Sequence, residues 1–103
     1  MEKSYVTYIL ECVDGSYYCG FSSNLEQRLR QHQEGKGAKY TRSRRPVRLL
    51  TFVTFDDKHD AYSCEWWFKN KLKRPQKEKL IQAGNIHQAY LEWVEKRKKS
   101  SKH

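Results

Sequence analysis

Hydrophobic positions along the chain follow two periods. Residues 5–12 (YVTYILEC) and 16–21 (SYYCGF) are rich in β-branched and aromatic side chains and flank an Asp14-Gly15 turn signal, which predicts a β-hairpin. Residues 47–55 (VRLLTFVTF) read as a third strand. Elsewhere the apolar spacing changes to three and four. Leu25 and Leu29 form the inner stripe of a helix, with Ser23 as its cap and Glu26 completing a capping box. Ala61, Cys64, Phe68 and Leu72 form a longer stripe, on a helix capped by Asp56 or Asp57 and running to about Leu72. Pro75 interrupts, and a short helix, QKEKLI, follows. Residues 86–98 predict a last amphipathic helix carrying Ile86, Tyr90 and Trp93 or Val94. No internal repeat is present.

The hairpin loop decides which side chains share a face. A two-residue loop at 14–15 pairs Val13 with Ser16 and puts Tyr8 and Tyr18 on opposite faces. A three-residue loop, with Gly15 left-handed as a bulge, pairs Leu10 with Tyr18 and Tyr8 with Gly20. The second form is the expectation, and it makes Tyr8 and Tyr18 near neighbours. On the following helix, Arg28 lies beside Leu29 and His32 one turn beyond Arg28, so both flank the buried stripe. On the long helix, Glu65 falls about 40° from Ala61 at 100° per residue and borders the apolar face.

Charge narrows the partners. The 103 residues hold 21 Lys plus Arg against 12 Asp plus Glu, a net charge of +9. A polyanion is drawn to such a chain. No apolar run reaches the ~18–20 residues that span a bilayer, and MEKSYVTYIL lacks the apolar core and cleavage site of a secretory signal. A cytoplasmic protein without membrane association is expected. Cys12, Cys19 and Cys64 are odd in number and lack C-x-x-C spacing. They read as buried free thiols, not a zinc site or a disulfide framework.

Tyr8, Tyr18, Arg28, His32 and Glu65 each have a plain explanation as strand, surface or ion-paired residues. Together they meet the needs of phosphodiester hydrolysis. A carboxylate can hold a divalent metal, an Arg stabilises charge on non-bridging oxygens, and a phenol or imidazole orients or deprotonates water.

These residues also resemble the GIY-YIG nuclease family. Its first motif corresponds to Val6-Thr7-Tyr8 and its second to Tyr18-Cys19-Gly20, with Arg28 and His32 following at the family's spacing and Glu65 on the helix after the third strand. GKGAKYT and the stretch from Glu65 to KRPQKEKL resemble the small, stand-alone bacterial branch. The resemblance spans roughly residues 4–82. It implies an α+β fold, a three-stranded antiparallel sheet flanked by helices, and one Mg²⁺ or Mn²⁺ held by Glu65. It implies Tyr8 as general base or water-positioner, Arg28 as phosphate clamp, and Tyr18 and His32 as hydrogen-bonding partners of the phosphate or water. Two departures stand out: Phe21 occupies a position where some members carry Lys, and Asn70 does not align securely with a later Asn of the family. The domain expectation is a catalytic unit over 1–82, a helix over 83–96 packed on it, and a disordered basic tail over 97–103.

The run from Gly35 to Arg48 supplies Lys36, Lys39, Tyr40, Arg42, Arg44, Arg45 and Arg48, which read as a phosphate-tracking loop. Lys69 and Lys73 join that nucleic-acid-binding set, within a second basic stretch that also holds Lys71, Arg74, Lys77 and Lys79. GKGAK lacks the P-loop spacing, so no nucleotide cofactor is expected. Trp66, Trp67 and Trp93 read as packing residues before base-stacking ones. Three functions follow: a metal-dependent DNA endonuclease leaving a 5′-phosphate, a DNA- or RNA-binding module on the same scaffold, and a protein-interaction domain.

Overall fold

A computed structural model describes residues 4–100. Strands β1 (Tyr5–Glu11), β2 (Tyr17–Ser22) and β3 (Arg48–Phe55) form one antiparallel sheet in the order β2-β1-β3. The helices are α1 (Leu25–Gln33), α2 (Lys39–Arg42), α3 (Lys58–Lys71), α4 (Arg74–Ala83) and α5 (Ile86–Ser100).

The hairpin takes the three-residue loop. Cys12 N–H donates to Ser16 O at 2.8 Å, Gly15 N–H donates to Cys12 O at 2.9 Å, and Gly15 has φ of 83°. Tyr8 pairs with Gly20 and Leu10 with Tyr18, so both tyrosines share a face. Ile9, Cys19, Val53 and Phe55 face the opposite way and pack on Ala61, Cys64, Trp67 and Phe68 of α3 and on Ile86 and Tyr90 of α5. The Tyr8 face carries Leu10, Cys12 and Val47, closed by Leu25 and Leu29 of α1. A bulge in the β1–β3 pairing, between Ile9 and Leu10, turns Leu49 to the α1 side. Helices thus cover both faces, while β2 remains a free edge. The three cysteines are buried and unpaired with one another.

Four local expectations are corrected. Asn24, not Ser23, caps α1: its side chain accepts from Gln27 N at 3.1 Å, and the Ser22 hydroxyl accepts from Asn24 N at 3.0 Å. The basic loop contains α2, a single turn. Pro75 does not interrupt but sits in the first turn of α4, where a missing N–H costs nothing. α5 runs through Ser100, so residues 97–100 of the expected tail are helical, as suits Lys and Arg near a helix C-terminus. Residues 101–103 lie outside the described residues. Trp67 is buried, and Trp67 and Trp93 pack with Tyr90 in the α3–α5 core.

Candidate active site

Tyr8 comes from the central strand, and its phenol lies across Gly20 toward the free edge of β2. A Cβ at Gly20 would stand 2.6 Å from Tyr8 Oη, so only glycine leaves the tyrosine its place. Beneath the phenol is His32, fully buried in the last turn of α1. The sequence pattern put His32 at the flank of a stripe. The structure seals it instead, because residues 37–41 fold over its ring. Gly37 lies against the imidazole so closely that a Cβ there would clash with Nδ1.

The hydrogen bonds around His32 fix its tautomer. The Thr41 hydroxyl donates to Ala38 O at 3.0 Å, and a carbonyl can only accept. Thr41 Oγ1 therefore accepts from His32 Nδ1–H at 2.8 Å. That leaves Nε2 as the acceptor for the Tyr8 O–H at 2.9 Å. The result is one directed run: phenol to imidazole to hydroxyl to carbonyl. The sequence offers Gly37 as a backbone phosphate donor, not as a lid on His32, and gives Thr41 no role. Thr41 is buried, in GKGAKYT, where the small residues that admit the close approach were the available signal.

Burial pushes the Tyr8 phenol up to about 12, against a downward pull from the Arg28 guanidinium; Tyr18 and Glu65 add to the rise. Burial, helped by the charge of Arg28, pushes His32 from its usual 6.5 down to about 4. At neutral pH the phenol is protonated and Nε2 is free to take its proton. Arg28, half-buried on α1, also donates from Nη1 to Gln31 Oε1 at 3.0 Å.

The depressed imidazole makes a stability prediction. Between pH 6.5 and 4 the unfolded chain binds a proton at His32 that the folded chain does not. The contribution is whole above pH 6.5 and is lost as pH falls through 4, on the order of 3 kcal/mol. Guanidinium melts at pH 7 and pH 4 check this: His32→Gln should lose less stability than wild type between the two. Equal losses would remove His32 as the titrating group.

Tyr18 completes the cluster, its ring centroid 6.4 Å from that of Tyr8 and 5.2 Å from that of His32. Tyr40 of α2 stacks on Tyr18 at 6.1 Å, and the Arg44 guanidinium lies 3.9 Å over the Tyr40 ring. Glu65 approaches from α3. Its Oε1 accepts from Lys69 Nζ at 2.9 Å, and that ammonium is 5.4 Å from the Tyr18 ring centroid. Burial pulls Lys69 down, yet the hydrogen bond and charge of Glu65 outweigh it and hold it above its usual 10.5.

The remaining basic residues are dispersed. Lys36, Lys39 and Arg42 are exposed along the α2 segment, and Lys73 is exposed before α4. Arg44 bonds Asp14 at 3.1 Å and Tyr40 O at 2.8 Å, and Arg45 bonds Arg42 O at 3.0 Å. These two arginines brace the loop. Arg48 pairs with Glu11 at 2.6 Å on β3, across β1 from the β2 edge.

As a metal donor, Glu65 stands without a cage. No group of three His, Cys, Asp or Glu converges among the described residues. One carboxylate that already takes an ammonium suits a hydrated hard cation completed by water and phosphate, not a zinc site.

Comparison with known proteins identifies the family and the fold. Residues 4–79 match the family model described as the GIY-YIG catalytic domain. The chain is 52% identical over 101 residues to the UPF0213 protein YsiG of Lactococcus lactis, covering 98% of this chain and 97% of that protein. A solution NMR structure of a UPF0213 protein from Bacillus halodurans matches with TM-score 0.52 and 42% identity, over 78% of this chain and 84% of that one. A second, from E. faecalis, matches with TM-score 0.56 and 42% identity, over 84% of this chain and 93% of that one.

Proposed function

We propose, since this chain belongs to the GIY-YIG catalytic domain family, that it is a metal-dependent endonuclease hydrolysing DNA phosphodiesters, selective for substrate structure. A nucleic-acid substrate and divalent-metal chemistry are what the family implies in general. The observation that carries the reading here is the directed run from Tyr8 through His32 to Thr41, all three buried, with Arg28 beside the phenol. No helix among the described residues is long and apolar enough to cross a membrane.

The roles follow from the groups. Glu65 would hold one Mg²⁺ or Mn²⁺, which neutralises the phosphate and polarises the leaving oxygen. Arg28 offers fixed donors to the non-bridging oxygens. Water attacks phosphorus and gives its proton to the Tyr8 oxygen, while the Tyr8 proton passes to His32 Nε2. Thr41 holds the imidazole in the tautomer that can accept it and partners the imidazolium that forms. Tyr18 borders the same space and orients water or phosphate. In this relay the proton ends on His32 Nε2, and the burial that holds the imidazole down to about 4 makes the imidazolium short-lived.

The test is cleavage of end-labelled single-stranded, duplex, flap and branched DNA, with RNA alongside. Cutting should appear with Mg²⁺ or Mn²⁺, stop in EDTA and return when metal is restored. Binding without cutting in any metal would instead favour the non-catalytic nucleic-acid module.

A further inference from the structure

Beside the Tyr8–His32 pair, a cleft of about 270 Å³ wraps the free edge of β2, lined by Tyr17, Tyr18, Tyr40, Phe68, Lys69 and Lys77. Tyr18 and Tyr17 point to opposite faces of the strand, so the cleft has one wall on each side of the sheet edge. The first wall is the near-parallel Tyr18–Tyr40 stack, with planes 25° apart. The second is Tyr17 and Phe68. Every one of these rings carries a cation. Lys69 lies 5.4 Å over Tyr18, Lys77 lies 5.3 Å over Phe68, Arg74 lies 3.8 Å over Tyr17 and Arg44 lies 3.9 Å over Tyr40. Phe68 belongs to the core and Tyr17 packs against it, but core packing does not account for Tyr40 and Arg74, which are exposed.

We infer that this cleft is a binding site for one unpaired nucleobase, adjoining the phosphate to be cut; the inference rests on the nuclease reading above. Tyr17, Tyr18 and Tyr40 line the cleft with aromatic surface that a planar ring can pack against, and Lys69 and Lys77 line it beside the phosphates on either side of that ring. The volume lies below the usual range for ligand sites and suits one ring system. A base paired within a duplex cannot enter such a space without leaving its stack. The cleft shares Tyr18 with the Tyr8–His32 cluster, and Lys69 joins it to Glu65. A nucleotide whose base sits here has its phosphate on the side of Lys69 and the Glu65 carboxylate bonded to it. Selectivity for single strands, flaps or extruded bases then originates in the same place as the chemistry.

Binding in EDTA tests the site apart from catalysis. A short labelled single strand, as DNA and as RNA, is titrated with the full chain at constant salt while one abasic position is walked along it. Losing the one base that fills the cleft should weaken binding about five-fold or more. Tyr40→Leu, and independently Tyr17→Leu, should weaken the intact strand similarly and no longer sense the abasic position. If Tyr40→Leu also weakens a blunt duplex of the same sequence, the site stands and takes its base by extrusion. Equal affinity for intact and abasic strands at every position overturns the site, as does an absence of binding. Metal-dependent cutting without an abasic effect would remove the cleft and keep the nuclease. An abasic effect without cutting would do the reverse.

Discussion

Tyr8→Phe should slow cleavage by about 10²–10⁴-fold while the protein stays folded. Phenylalanine keeps the ring that packs over Gly20 and against Tyr18, and removes only the oxygen that hands a proton to His32 Nε2. Its loss leaves a buried imidazole nitrogen without its donor, which costs stability by about 1–3 kcal/mol. The expected signature is therefore a modest drop in melting temperature beside a large drop in single-turnover rate. Tyr18→Phe gives the contrast: Tyr18 shares the face but makes no such link to His32, so its loss should cost less rate. A Tyr8→Phe protein that cuts within ten-fold of wild type would remove the phenol from the reaction.

Arg28→Ala should be nearly as damaging, at about 10²–10³-fold, the scale set by losing one preorganised donor to a charged transition state. It also makes a pH prediction that a purely structural role does not. Arg28 pulls down both the Tyr8 phenol and the His32 imidazole. With that charge gone, His32 titrates higher, so the acid limb of the rate profile moves to higher pH. Arg28→Lys restores a positive charge but not the planar fork. It should bring the limb back toward its original position while the rate stays low. Rate–pH profiles of the three proteins check this, and an acid limb that does not move in Arg28→Ala would uncouple Arg28 from His32.

Much of this arrangement is legible in the chain before any coordinates. The alternation in 5–12 and 16–21, with Asp14-Gly15 between them, leads to a hairpin whose three-residue loop places Tyr8 opposite Gly20, because turn geometry and strand period act locally. Arg28 and His32 follow from helical spacing in the same way. What stays hidden depends on contacts distant in sequence. The burial of His32 arises when α2 closes over it, and α2 is a single turn whose Thr41 bonds both Ala38 and His32. A charge-rich stretch punctuated by glycines gives no periodic sign of that. The choice of Asn24 over Ser23 as cap is another case: both side chains can cap, and β2 running on to Ser22 decides between them. Arg44 and Arg45 look like phosphate ligands by composition, yet Asp14 and nearby carbonyls already engage them. The Lys69–Glu65 pair does follow from i,i+4 spacing, although its place above Tyr18 does not.

The most direct measurement is a side-by-side comparison of wild type and Glu65→Ala for cutting and for binding of the same labelled substrate. Glu65 belongs to neither apolar cluster and its hydrogen bond is to Lys69 of the same helix, so the variant should fold. The expected result is metal-dependent cutting by wild type, its loss in Glu65→Ala, and binding retained by both. A variant that cuts like wild type would contradict this reading, because the Glu65 carboxylate would then have no part in the chemistry.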